Sequence, residues 1–381
     1  MLAILYWIAI FLIIYTYLIY PLVLLLLTRG RKKPSYVAPK EWPKVSIIIA
    51  AHNEQAVISQ KIENTLALDY PREALEIIVV SDGSTDFTNQ IVEEYSGFGI
   101  KLNALENQRG KTTAQNEACR HVRNDYVVFS DANSMYDQHA LKRLIRPFSD
   151  DTIGCVCGEL RYRNPPDNTV GKGEGLYWRY EQFLKGRESL LSSTLGANGA
   201  IYAMRRQLFE DLDADIISDF VMPIRVWRQG FRVIYEPRAI AEESSGDTFL
   251  KEFHRRTRII ARSLFGLWSQ RSVLNLFEHR AFAFQMISHK LMRWLVPLLL
   301  LSVFVINGFM TDVLIYYYLW ILQFIFYSFA LLGSVMPNTI GKHALFYIPA
   351  HFCAMNTGAL LGFLSFLLGR RHSVWKPMSR S

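Results

Sequence analysis

From Leu2 to Leu27 the chain carries no charged residue and is interrupted only by Pro21. At about 1.5 Å rise per residue, such a run crosses a hydrocarbon core roughly 30 Å thick. The basic cluster Arg29, Arg31, Lys32 and Lys33 follows the run. A cleaved signal peptide carries its charge ahead of a shorter apolar stretch and ends in small residues, so this order reads as an anchor. Basic residues favour the cytoplasmic side, which places the chain after residue 28 inside and the N-terminus outside. Three more apolar stretches, Trp294 to Met310, Val313 to Met336 and His343 to Gly369, lie near the other end. Three full crossings would leave the tail outside, whereas Arg370, Arg371, His372, Lys376 and Arg380 favour the inside. The last stretch, which holds His343, Pro349, His351 and Asn356, is therefore the expected re-entrant or interfacial segment.

Between these ends the sequence reads as an ordinary soluble domain. Half of the 381 residues are hydrophobic, but that content gathers at the ends, and the middle is long enough for one core of roughly 150–250 residues. The net charge of +8 suits an anionic ligand or anionic lipid headgroups, and its basic residues cluster beside the membrane segments. No nucleic acid is expected as a partner. Cys155 and Cys157 have one residue between them, too tight for the two-residue spacing of zinc or redox pairs, so the four cysteines are expected to be reduced.

Val45 to Ala50, Ile77 to Val80 and Tyr126 to Phe129 are short apolar runs with the look of buried parallel strands. Val57, Ile58, Ile62 and Leu66 fall at helical spacing between the first two. Strand, helix and strand then alternate as in a doubly wound α/β domain. After each strand comes a polar loop: Asn53-Glu54, Ser81-Asp82-Gly83-Ser84 and Ser130-Asp131-Ala132-Asn133. Ligands of open parallel sheets bind at the carboxyl ends of strands, so three loops converge on one crevice. The chain has no Gly-x-Gly-x-x-Gly after a strand and no phosphate-cradling Gly-rich loop ending in Lys-Ser or Lys-Thr, which counts against dinucleotide and NTPase readings. A nucleotide held by carboxylates needs a divalent cation between carboxylate and phosphate, and Asp131 is the natural candidate to hold it. Each loop alone is also ordinary turn and capping chemistry; its repetition at three strand ends favours a site.

These residues resemble the inverting, GT-A-type family 2 glycosyltransferases, a group that includes cellulose, chitin, hyaluronan and poly-N-acetylglucosamine synthases. The resemblance spans about Val45 to Arg262. It is carried by Ala51-His52-Asn53-Glu54, Ser81-Asp82-Gly83-Ser84, Gly110-Lys111 with Ala114 and Asn116, Asp131-Ala132-Asn133, Gly196-Ala197-Asn198-Gly199-Ala200, Ser218-Asp219 and Arg255-Arg256-Thr257-Arg258. It implies a GT-A α/β domain over 45–248, with a transmembrane helix at 1–28, a linker at 29–44, amphipathic interfacial helices at 249–293, membrane segments at 294–369 and a basic cytoplasmic tail at 370–381. It further implies an integral, multi-pass protein of a bacterial-type plasma membrane that transfers sugar from a nucleotide donor at the cytoplasmic face. By the same resemblance, Asn53, Glu54, Asp82, Lys111, Asn198 and Arg255 contact substrate, Glu54 and Asp82 at the uracil and ribose of a UDP donor. Asp131 with Asn133 holds Mg²⁺ or Mn²⁺, Asp219 is the general base, and Arg258 meets the diphosphate.

Two departures from the family pattern stand out. Asn133, a neutral amide, occupies the place where the metal motif usually ends in Asp. Arg255-x-x-Arg258-Ile259 stands where Gln-x-x-Arg-Trp is common, so the aromatic residue that helps hold the acceptor in processive members is absent. Lys251, Arg255, Arg258 and Arg262 fall on one helical face, a pattern that also suits a helix lying on lipid headgroups. The expected acceptor is a growing polysaccharide. The alternatives are a single transfer to a lipid such as a polyprenyl phosphate, and an inactive nucleotide-sugar-binding scaffold. Retention of Asp82, Asp131, Asp219 and Arg258 together speaks against the scaffold, because polar groups at buried sites are costly to keep without a use.

Overall fold

A computed structural model of the chain describes residues 1–163, 169–244, 249–337 and 339–371. Strand β1 (Val45–Ala51) is buried along its whole length. Ile47 and Ile49 enter one apolar cluster while Ile48 and Ala50 enter another, as the two-residue period of a strand requires when both faces of the sheet are covered. Around it lie β2 (Leu75–Asp82), β3 (Ile100–Leu105), β4 (Tyr126–Asp131), β5 (Met135–Tyr136), β6 (Ile153–Arg163), β7 (Ile201–Arg205) and β8 (Arg232–Ser244). Among the described residues these form one sheet in the order β3-β2-β1-β4-β7-β6-β8-β5.

The strands β1 to β4 are parallel, as the apolar runs predict. Beyond β4, where the sequence reading assigns no strand direction, β7 runs antiparallel to both β4 and β6, and β8 returns parallel to β6. The sheet is mixed. The expected helix is present as Ile58–Leu66, and Cys119, Cys155 and Cys157 are buried free thiols.

Among the described residues four helices are long and apolar enough to cross a membrane: Leu2–Leu27, Leu276–Gly308, Leu314–Val335 and Ala344–Leu367. The second of these begins well before residue 294 and continues through the expected boundary at 293. A non-helical turn at Arg280 and a π-helical segment at Met286–Leu291 let it bend without ending. Its early part packs on the sheet domain, where Phe282 stacks on Trp227 with ring centroids 4.0 Å apart and Trp294 meets Phe220 at 5.7 Å. The first helix is fastened by buried polar groups: the Tyr20 hydroxyl donates to Glu188 Oε1 at 2.7 Å, which also meets His289 Nδ1 at 2.6 Å. Beside them Arg293 pairs with Glu181. Buried charges of this kind hold a geometry only when each has a partner.

Helix Phe249–Ser269 is not confined to a lipid surface, as the one-sided basic pattern allows. Ile260, Leu264 and Leu267 enter the same core as β1 and the Ser218–Arg228 helix. Arg262 is buried, donating to the carbonyls of Ala214, Asp215 and Ile216 and to the Thr112 hydroxyl. The side chain of Lys251 lies outside the described residues. The far face of this helix is covered by Ala344–Leu367 through Gly358 and Gly362, a small-residue pair four apart that lets two backbones approach. Arg371, just past that helix, pairs with Asp215 at 2.8 Å; His372, Lys376 and Arg380 lie outside the described residues.

A Cβ at Gly362 would come within 2.8 Å of the Thr257 carbonyl and 3.0 Å of Ile260 Cβ. Gly362→Leu should therefore part the two helices and destabilise the fold by about 1–3 kcal/mol, seen as a lower unfolding midpoint in detergent. Gly97→Ala, with nothing within 4 Å, should leave the midpoint unchanged.

Candidate active site

Parallel register delivers the acidic loops to one edge. β1 pairs with β2 so that Ala51 faces Ser81, and with β4 so that Ala50 faces Asp131. Asp82 and Asp131 are the last residues of their strands. The first two loops are laced together: Asn53, at φ +54°, accepts from Thr85 N at 2.8 Å, and the Glu54 amide donates to Thr88 Oγ1 at 2.8 Å. Gly83 has φ +63°, and a Cβ there would meet Gln108 N at 2.4 Å, so only glycine admits the next loop so closely.

Asp82 is 1% exposed. Its two oxygens accept from the backbone N–H of Arg109 at 2.7 Å and of Gly110 at 2.8 Å. Both hydrogen bonds serve to fix the turn that starts the Lys111–His121 helix. Lys111, the first residue of that helix, pairs with Asp131 and lies 3.4 Å from the Gly199 carbonyl. The side chains of Lys111 and Asp131 are both part-exposed, so an ammonium and a carboxylate stand paired within reach of solvent.

Asp219 opens the Ser218–Arg228 helix. The segment ahead of it is held from two sides. Thr112 Oγ1 donates to the Ile216 carbonyl at 2.8 Å, Gln115 accepts from Ser218 Oγ at 2.6 Å, and Asn116 bonds both backbone groups of Leu212. Arg262 grips the same segment from the other side. The loop at 196–200 then closes on the helix start, with Ala197 N donating to the Asp219 carbonyl at 2.7 Å and Gly199 N to Asp219 Oδ2 at 3.0 Å. A Cβ at Gly199 would stand 2.7 Å from Asp219 Oδ2 and 3.0 Å from Lys111 Nζ, so the absence of a side chain lets carboxylate and ammonium share this corner. Asn198 adds its backbone carbonyl, which accepts from Ile201 N at 2.9 Å.

Burial raises the pKa of Asp219; nearby Lys111 opposes that rise, Asp131 adds to it, and Lys185 and the Gly199 N–H oppose it. The result is a carboxylate held above the ordinary range, the direction that makes a stronger base. Arg258 has no hydrogen-bond or ion-pair partner among the described residues, and burial together with the neighbouring Arg255 lowers its pKa. Arg255 itself donates to Tyr162 OH at 3.4 Å. A guanidinium without a carboxylate, one turn from Arg262, is a site for an anion that arrives from outside.

Asn133 does not stand alone in its motif. Its Nδ2 donates to Glu243 Oε1 near the end of β8. Among the described residues no three His, Cys, Asp or Glu side chains gather as a metal cage. The donors at hand, the Asp131 carboxylate and the Asn133 amide oxygen, are hard oxygens. They fit a Mg²⁺- or Mn²⁺-type ion that completes its shell with phosphate and water.

Glu243, Lys185 and Lys61 are the residues that sequence reasoning missed. Glu243 and Lys185 lie far along the chain with no motif to mark them. Lys61 had a faint signal, a lone charge one residue before Ile62 on the apolar side of its helix. It is wholly buried, donates to the Ser134 carbonyl at 2.5 Å and lies 4.0 Å from the Tyr136 ring centroid. It thereby pins the turn after Asp131.

Burial depresses the pKa of Lys61 to about 7, with Asp131 opposing. An unfolded lysine titrates near 10.4. Between about pH 7 and pH 10 the unfolded chain therefore binds a proton that the folded chain lacks, and raising pH favours folding. Denaturation of wild type and Lys61→Met across pH 7 to 9 should show wild type gaining stability relative to the variant as pH rises. Parallel curves would mean that Lys61 keeps its ordinary pKa.

Residues 46–213 match the family model described as Glycosyl transferase family 2. The chain is 29% identical over 241 residues to "Probable glycosyltransferase YdaM" of Bacillus subtilis, covering 58% of this chain and 55% of that protein. It is 27% identical over 234 residues to a poly-beta-1,6-N-acetyl-D-glucosamine synthase of Staphylococcus epidermidis, covering 60% and 52%. It thus spans about half the length of the curated relatives it matches. Among solved structures it is similar to the mannosyltransferase PcManGT from Pyrobaculum calidifontis in complex with GDP-Man and Mn2+, with a TM-score of 0.73, 22% identity, and coverage of 96% of this chain and 100% of that one. At that identity the likeness speaks for the GT-A fold alone.

Proposed function

This chain is a family 2 glycosyltransferase, and from that premise we propose that it transfers a sugar with inversion from a nucleotide-sugar, a UDP-sugar by preference, to a growing polysaccharide at the cytoplasmic membrane face. The observation that carries this reading is the meeting of Lys111, Asp131 and Asp219 around Gly199, with Arg258 free of any carboxylate among the described residues.

Inversion needs the acceptor hydroxyl to attack from the side opposite the leaving nucleotide, and Asp219 is the carboxylate suited to take its proton. Its raised pKa matches that task, and the hydrogen bond that its Oδ2 accepts from Gly199 N fixes the orientation of the carboxylate. Asp131 with Asn133 would hold Mg²⁺ or Mn²⁺, which when bound neutralises charge on the diphosphate. Arg258 would add a planar fork of donors to that diphosphate, and Lys111 would lie beside it. Asn53, Glu54 and Asp82 would frame the base and ribose pocket, Asp82 through the turn at 109–110 that it holds. Asn198 and Arg255 would line the donor and acceptor sides.

The membrane layout proposed is an anchor at Leu2–Leu27 and an out-and-back pair at Leu276–Gly308 and Leu314–Val335, with Ala344–Leu367 lying along the catalytic side. The contacts of Gly358, Gly362 and Arg371 with the sheet domain and the helix packed on it favour this layout over three full crossings. A second acceptor reading, one sugar added to a lipid such as a polyprenyl phosphate, is favoured by Ile259, which offers no aromatic face for a sugar ring.

Full-length protein in nanodiscs, assayed against UDP-sugars and GDP-mannose for released nucleotide and product mass, tests donor and acceptor together. A ladder of masses supports the polymer, and a single lipid-linked sugar supports the second reading. Asp219→Asn should keep donor binding and lower turnover by about 10²–10⁴. Because its base must be ionised, the wild-type acid limb of kcat/KM should fall away above the ordinary aspartate value of about 4. Arg258→Ala should cut turnover strongly and Arg258→Lys restore it only in part, because an ammonium lacks the bidentate fork.

A further inference from the structure

The neutral Asn133 leaves the expected cation motif one carboxylate short. The tertiary fold brings a carboxylate to the same place. Strand β5 pairs with the end of β8 so that Met135 faces Glu242 and Tyr136 faces Ala241. The next residue of β8, Glu243, then stands beside the turn that leads from Asp131 into β5. Successive residues of a strand point to opposite faces, so Glu242 and Glu243 have different surroundings. Glu242 lines a cavity with Arg161 and Asn64, whereas Glu243 accepts from Asn133 Nδ2. Lys61 holds the same turn through the Ser134 carbonyl.

An amide has one oxygen and one NH₂, and a neighbouring acceptor decides which way each faces. With its NH₂ donating to Glu243, the Asn133 side chain turns its oxygen away from Glu243, where it accepts a long hydrogen bond, 3.5 Å, from Ser134 Oγ and keeps a second lone pair for a ligand. We propose that Glu243 is a positioning residue of the divalent-cation site: it fixes Asn133 with its oxygen available as a ligand, and it supplies close by the negative charge that the motif lacks. Partners behind a ligand commonly orient it in this way and affect metal affinity by 10- to 100-fold. The inference rests on the reading of Asp131 and Asn133 as cation ligands and adds to it a residue from the far end of the sheet domain.

The test is Mn²⁺ binding to the full-length protein in detergent, followed by the electron paramagnetic resonance signal of free Mn²⁺, with and without UDP. Glu243→Gln should weaken Mn²⁺ binding about 10-fold or more, and Glu243→Asp, which keeps the charge but withdraws the oxygen, should fall between it and wild type. The decisive variant exchanges the pair. Asn133→Asp with Glu243→Gln places the carboxylate in the motif and the amide behind it, and should bring Mn²⁺ affinity back to within about 3-fold of wild type. A merely structural role for Glu243 would not produce that rescue. Unfolding midpoints without Mn²⁺ identify any variant that fails to fold; should Glu243→Gln do so, the exchanged pair and Glu243→Asp decide the matter. Unchanged Mn²⁺ binding in Glu243→Gln beside a loss in Asp131→Ala, or no rescue in a folded exchanged pair, would overturn the proposal while leaving the cation site standing. Absence of Mn²⁺ binding in wild type, with or without UDP, would overturn both.

Discussion

The position of the acidic groups depends on the double parallel register of β1. Hydrogen-bonded on one side to β2 and on the other to β4, it brings Asp82 and Asp131 out at the same edge of the sheet. A strand rises about 3.3 Å per residue and reverses its side chains at each step. A slip of one residue would therefore both shift an aspartate and turn it to the wrong face. The register is protected because β1 is apolar on both faces and each face has its own core.

From that edge the site is assembled by polar contacts that cross long stretches of sequence. Asp82 organises the start of the Lys111–His121 helix, that helix with Arg262 fixes the segment before Asp219, and Asp219 in turn captures the loop at Gly199. Each buried bond replaces one that the group would otherwise make to water, so the net gain per bond is small. Leaving either partner unpaired costs about 1–3 kcal/mol. Such a chain of contacts therefore favours a single arrangement more than it adds stability. It also brings positive charge to Asp219: Lys111 and Lys185 act on its carboxylate, and it acts in turn on Arg262, which also feels Arg258. Positive charge of this kind favours an anionic ligand.

The helices on either side of the sheet domain also build its core. Ile260, Leu264, Phe282, Met286, Trp294 and Ala359 belong to the core that covers one face of β1. The Phe249–Ser269 helix is thus held between the sheet domain and Ala344–Leu367, with Arg255 and Arg258 along its length.

The sequence by itself determined the local elements. An uncharged run of apolar residues has no other stable use for its length than a membrane or a core. Short β-branched runs make buried strands, and the acidic turns after them mark the ligand edge. The parallel half of the sheet and the placing of Asp82 and Asp131 at the ends of their strands could be read in this way, whereas Lys111 was marked only by the family resemblance. What only the tertiary structure decided was how distant segments meet. The antiparallel return of β7, the burial of Arg262 and Lys61, and the contact between Asn133 and Glu243 all depend on which strand lies beside which. Periodicity within one segment carries no record of its neighbour in space. A basic stripe looks the same whether lipid, a diphosphate or backbone carbonyls will face it, and a motif with one carboxylate looks incomplete until the fold brings another residue alongside.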